Sequence, residues 1–133
     1  MPSPIQAVFT DKAPTPIGPY SQAVKLNNLI FVSGLIPLIP NTNELDQSSF
    51  ESEVKRIFLS LSEILDAAGS SLKHVAKVTV YLKNMTDFTV FNDLYATYFT
   101  APYPARVTVE VSRLPKNVSV EIDAIAVIPS SLL

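Results

Sequence analysis

The residues of this chain that could do chemistry are few and widely spaced. Arg106 lies in "PYPARVTVEV", residues 102–111, where Val107, Val109 and Val111 alternate with Arg106, Thr108 and Glu110 after Pro102 and Pro104. A guanidinium is shaped to grip a carboxylate or phosphate. The question is therefore whether the Arg106 face meets water, an acid on a neighbouring strand, or a site. Tyr20 sits in the tight Gly-Pro turn of "PIGPYSQA", Ser33 and Gly34 come at the end of the strand in "FVSGLIP", and Glu121 belongs to the last strand. Asn92 falls on the same helical side as Phe88 and Tyr95. Each has a structural reading as well: a rim aromatic for Tyr20, a turn hydroxyl for Ser33, a helix hydrogen-bonder for Asn92, and a cross-strand ion pair for Arg106 with Glu121.

Other chemistries fall away by elimination. The chain has no cysteine, which excludes disulfides, thiolate metal sites and a Cys nucleophile. Its single histidine, His74, follows "SSLK" at the entrance to a strand and would have to serve any Ser-His-Asp arrangement alone, with no GxSxG elbow present. Gly18, Gly34 and Gly69 are too scattered to cradle a phosphate, and no paired-acid motif suggests a magnesium site. Neither a cofactor nor a metal is expected. Ten Lys and Arg against twelve Asp and Glu give a net charge of −2, so there is no basic excess to follow a nucleic-acid backbone.

The elements that must carry these residues can be read from periodicity. With 133 residues, 47% of them hydrophobic, the chain can bury a core, and a single domain over 1–133 is expected. A strand over 29–33 follows a turn at Asn27 and Asn28 and ends at Gly34 and Pro37. Phe50, Val54, Ile57, Phe58, Leu61, Ile64, Leu65 and Ala68 then recur at helical spacing, with Ser48 and Glu51 as a capping box and Gly69 as the stop. In "HVAKVTVYLK", Ala76, Val78, Val80 and Leu82 form the apolar face of a strand. A second helix starting at Thr86 or Asp87 buries Phe88, Phe91, Tyr95 and Phe99, and the Arg106 strand, the turn "RLPKN" and a last strand in "VSVEIDAIAVI" complete the chain. This order predicts an α+β fold, a mixed sheet with two helices on one face. Tyr81, Ile125 and Val127 leave the other face apolar as well, which predicts a homo-oligomer. "LIFVSGLIPLIP", among the longest apolar stretches, is broken by Ser, Gly and Pro and falls short of the about 20 residues of a membrane helix. The start "MPSPIQAVFTDKAP" has neither a signal-peptide nor a transit-peptide pattern. A cytoplasmic protein is expected, or a mitochondrial one if a presequence precedes the chain.

Taken together and in order, "APTPIGPYSQAV", "NNLIFVSGLIP", "ILDAAGSSLKHVAKVTVYL", "DFTVFNDLYATYF" and "PARVTVEVSRLPKNVSVEIDAIAV" resemble the reactive intermediate deaminase (Rid, YjgF-type) family over nearly the whole chain. "PAR" followed by "RLPKNVSVEIDAIA" is the most specific part. The resemblance implies a chorismate-mutase-like α+β sandwich assembled as a homotrimer with three clefts between subunits. It implies a hydrolase that converts 2-aminoacrylate and similar enamines or imines to 2-keto acids and ammonia, a 2-iminobutanoate/2-iminopropanoate deaminase.

By the same resemblance, Arg106 is the carboxylate anchor, Tyr20 and Glu121 join it as catalytic residues, and Ser33, Gly34, Asn92 and Thr108 line the substrate. An imine is already electrophilic, so positioning, a directed water and proton delivery suffice, without a covalent nucleophile. Two positions depart from the family pattern: Thr108 stands where many members have Cys, and Leu35 turns "SGQ" into "SGL". The competing readings are a trimeric module that binds small carboxylates without turnover, a translation-inhibiting, endoribonuclease-like member of the family, and an AroH-type chorismate mutase, which the "PAR" and "RLPKNVSVEI" matches disfavour.

Overall fold

The computed structural model describes residues 3–129. Six strands, β1 (Ile5–Val8), β2 (Ala23–Leu26), β3 (Leu29–Leu35), β4 (Val75–Leu82), β5 (Ala105–Glu110) and β6 (Val120–Val127), form one sheet in the order β1-β2-β3-β6-β4-β5. All pairs are antiparallel except β4 with β5. Helix α1 (Phe50–Ala67) connects β3 to β4, and α2 (Phe88–Tyr95) connects β4 to β5. Both crossovers step in the same direction across the sheet, so crossovers of one hand place both helices on one face. Among the described residues no helix is long and apolar enough to cross a membrane.

The core lies between the helices and that face. Val54, Ile57, Phe58, Leu61, Ile64 and Leu65 of α1 bury against Ile30 and Val32 of β3, Val78, Val80 and Leu82 of β4, and Val120, Ile122, Ala124 and Ala126 of β6. Gly69 follows α1 with φ +89°, a left-handed conformation that glycine adopts without strain and that stops the helix where the sequence predicts.

Three local expectations change. The capping box of α1 is made by Ser49 and Ser52 rather than Ser48 and Glu51, each hydroxyl serving the other residue's backbone N–H at 3.0 Å. Glu51 is thereby left exposed in the first turn, where its charge suits the helix dipole. A register shift between Val75 and Lys77 turns Ala76 outward and puts Val75 into the core in its place. Strand β3 continues through Gly34 to Leu35, with a second irregularity between Val32 and Leu35.

The Arg106 strand alternates as expected, but its valines are the outer side. Paired residues of neighbouring strands share a face, so Arg106 opposite Val78 and Thr108 opposite Val80 point toward the helices. Val107 and Val109 lie on the open face with Phe31, and remain 43%, 37% and 37% exposed. Glu121 pairs with Tyr81, three residues from Val78, and so belongs to the open face too. Arg106 and Glu121 are on opposite sides of the sheet with β4 between their strands. The cross-strand ion pair does not form.

Candidate active site

On the open face, a cavity of about 330 Å³ holds Tyr20, Ser33, Gly34 and Glu121, walled by the apolar side chains of Ile17, Ile36 and Pro115. The register shift in β3 builds its floor. A carbon at the Cβ position of Gly34 would collide with a carboxylate oxygen of Glu121 and come within 3.1 Å of its carboxyl carbon, so Glu121 can lie over β3 only where the side chain is hydrogen. Burial, and next the negative charge of Asp123, raise the Glu121 carboxyl above its ordinary value. Asp123 itself accepts a 2.9 Å hydrogen bond from the Tyr81 hydroxyl, and that bond first, then burial, pushes the phenol of Tyr81 upward.

The loop carrying Tyr20 is fastened from below. The Ser33 hydroxyl donates to the Ser21 carbonyl at 2.6 Å and the Ser33 N–H to the Gln22 carbonyl at 3.0 Å. Gln22, 3% exposed, donates through Nε2 to the carbonyls of Thr10 and Pro14 at 2.9 Å and accepts the Thr10 N–H at 2.8 Å. The Tyr20 hydroxyl accepts the Ile17 N–H at 3.2 Å, which leaves its own proton free to donate into the cavity. Ser33 thus acts first as a clamp on the loop that presents Tyr20.

Arg106, Asn92 and Thr108 form a second group on the helix side. The Arg106 guanidinium lies 4.8 Å from the centre of the Tyr95 ring and 5.7 Å from that of Phe88. Asn92 Oδ1, Tyr95 OH and Thr108 Oγ1 are buried without a hydrogen-bond partner among the described residues. The ion pair found among those residues joins Arg56 to Asp46 at 3.3 Å, and Arg106 faces no carboxylate. Burial raises the phenol pKa of Tyr95, against the opposing pull of Arg106.

Within the chain the sequence-derived candidates therefore fall into two sets, Tyr20, Ser33, Gly34 and Glu121 on one face and Arg106, Asn92 and Thr108 on the other. Leu35 is a core residue opposite Ile122. The apolar walls, the Gln22 clasp and the aromatic shelf under Arg106 escaped the sequence reading. Ile17 could have been noticed for standing in the same turn as Tyr20. Nothing in the spacing of Gln22 or Tyr95 separates them from ordinary buried residues. Among the described residues no group of three or more His, Cys, Asp or Glu is placed to hold a metal.

The family model described as endoribonuclease L-PSP matches residues 10–128. A RutC family protein of Pyrococcus abyssi is 52% identical over 121 residues, covering 91% of this chain and 95% of that protein. A 2-iminobutanoate/2-iminopropanoate deaminase of Dermatophagoides farinae is 40% identical over 95% of this chain and 98% of its own length. The crystal structure of RidA from an Antarctic Psychrobacter superposes with a TM-score of 0.89 at 41% identity, covering 92% of this chain and 99% of that one. The six-stranded sheet with both helices on one face is thus the YjgF-type α+β sandwich, and the chain belongs to the reactive intermediate deaminase (Rid, YjgF-type) family.

Proposed function

We propose that this protein hydrolyses 2-imino acids and their enamine tautomers, such as 2-aminoacrylate, to 2-keto acids and ammonia. The observation that carries this reading is the position of Glu121, a carboxyl group raised in pKa, held over Gly34 in a largely apolar cavity beside the free hydroxyl proton of Tyr20. As carboxylate, Glu121 takes a proton from water as the water oxygen bonds to the imine carbon. It returns that proton to nitrogen to give the carbinolamine, then takes the hydroxyl proton and passes it to the amino nitrogen as the carbonyl forms and the carbon–nitrogen bond breaks, leaving keto acid and ammonia. Tyr20 donates a hydrogen bond to the reacting centre and holds it in place. The deaminase name of the mite relative supports the reaction class.

The substrate carboxylate needs a cation, and this pocket has none of its own. We infer a homotrimer whose clefts set the Glu121 pocket of one protomer against Arg106, Asn92 and Thr108 of the next. The exposed apolar residues Phe31, Val107 and Val109 give the open face a reason to be covered, and β5, the edge strand, sets Arg106 at the border of the sheet. The guanidinium then grips the carboxylate through two parallel hydrogen bonds.

A coupled assay tests the reaction. 2-Aminoacrylate is generated from serine by a dehydratase, and the protein is expected to accelerate pyruvate release. Binding of 2-ketobutanoate without any acceleration would leave only a binding module, and RNA cleavage in its place would overturn the reading. Light scattering tests the assembly, and a monomer at micromolar concentration would sink the composite site.

A further inference from the structure

An anchoring arginine has to be held still without spending the donors it needs for its ligand. Salt bridges and hydrogen bonds restrain a guanidinium by occupying its N–H edge, and Arg106 has neither from a carboxylate among the described residues. Two aromatic rings lie against it instead. Phe88 and Tyr95 lie seven residues apart on α2, on one side of the helix with Asn92 between them, and both rings lie within cation–π range of the guanidinium carbon. The five N–H donors are left for a planar anion.

The shelf is itself anchored. Tyr95 is 6% exposed and packs against Phe91, Phe99 and Phe58, with ring centres 5.6, 4.7 and 6.2 Å away. Phe58 belongs to α1, so the position of the guanidinium is tied to the main core through successive aromatic contacts. The Tyr95 hydroxyl has no hydrogen-bond partner among the described residues, which assigns the work to the ring.

Resting on the reading of Arg106 as carboxylate anchor, we propose that Tyr95 and Phe88 are positioning residues that hold the Arg106 guanidinium by its faces so that its hydrogen-bonding edge is preorganised for the substrate carboxylate. Neither ring touches the reacting atoms. Both act through Arg106.

The test compares Tyr95→Phe, Tyr95→Leu, Phe88→Leu and Arg106→Ala in the full chain, reading 2-ketobutanoate affinity by calorimetry, KM and kcat with 2-aminoacrylate, and labelling of Arg106 by phenylglyoxal. Tyr95→Phe keeps the ring and is expected to hold affinity within about threefold of the parent. Tyr95→Leu and Phe88→Leu are expected to weaken 2-ketobutanoate and raise KM by about tenfold, to change kcat less, and to speed phenylglyoxal labelling of a guanidinium no longer held by both rings. Tyr95→Leu cuts into the core, and if it does not fold, the half-buried Phe88 decides through Phe88→Leu. A folded leucine variant with parental KM and affinity overturns the proposal, as does a Tyr95→Phe protein as impaired as Tyr95→Leu. Arg106→Ala separates the two levels: parental 2-ketobutanoate affinity in that variant removes the anchor itself, whatever the rings do.

Discussion

The carboxylate of Glu121 lies across Gly34 so closely that a single added carbon at Gly34 would collide with it. Glycine at this position sets where the acid stands over β3. Its φ is not left-handed, so alanine is tolerated by the backbone and the conflict is with Glu121 alone. Gly34→Ala should therefore stay folded, with its thermal midpoint within a few degrees of the parent, while turnover of 2-aminoacrylate falls about 100-fold as the acid is displaced by about 1 Å. An alanine variant with full turnover would show that the acid has room to work elsewhere.

Removing the guanidinium separates anchor from scaffold. Arg106→Ala should leave a folded assembly and abolish measurable imine hydrolysis, because a bidentate contact is lost together with the alignment it provides. Arg106→Lys should fail as well, since an ammonium neither reproduces the planar fork nor stacks on Tyr95 and Phe88 in the same way. Thermal midpoint, oligomeric state and turnover measured on the same samples check this. An active but destabilised alanine variant would return Arg106 to a structural role.

Glu121 also leaves a signature in stability. Its folded pKa is raised, so between the unfolded and the folded value the folded state holds more protons than the unfolded chain, and this group favours folding progressively as pH falls through that window and disfavours it above. Glu121→Gln, which is neutral throughout, should melt higher than the parent at pH 7, with the gap narrowing toward pH 4, while losing turnover. Thermal scans across that range check the sign, and a gap that widens on acidification would contradict it.

The clasp at Gln22 should matter without touching substrate. Gln22→Ala strands the buried polar groups of Thr10 and Pro14 that it now satisfies, at a cost of about 1–3 kcal/mol. A lower melting temperature should accompany reduced kcat, since the loop bearing Tyr20 loosens with it. Crystallography or amide exchange over residues 10–20 provides the check.

Thr108 stands where many family members carry a thiol. Under the proposed reaction, in which Thr108 shapes the site beside Arg106 and forms no bond to substrate, Thr108→Cys should keep turnover within a few-fold. Thr108→Val, which removes the hydroxyl at nearly constant volume, is the sterner measurement. A loss of several orders of magnitude in the cysteine variant would assign Thr108 a direct chemical part.

Much of the fold was legible because its signals are local. The seven-residue apolar spacing of α1, the alternation in β4, β5 and β6, and Gly69 as a helix stop each follow from steric and solvation rules that act over a few residues. The candidate residues Tyr20, Ser33, Gly34, Asn92, Arg106, Thr108 and Glu121 were likewise nameable from their motifs, and the family follows from the same stretches. Periodicity could not say which side of β5 turns inward. Alternation of period two is symmetric, and the helix layer chooses Arg106 over Val107 because α2 brings Phe88 and Tyr95 to that side. Nor could it place Glu121 over Gly34, a contact between β6 and β3 that depends on a register shift 87 residues earlier in the chain. The separation of Arg106 from Glu121 onto opposite faces was decided by tertiary structure alone, because it depends on β4 lying between their strands and on where each ladder sets its register.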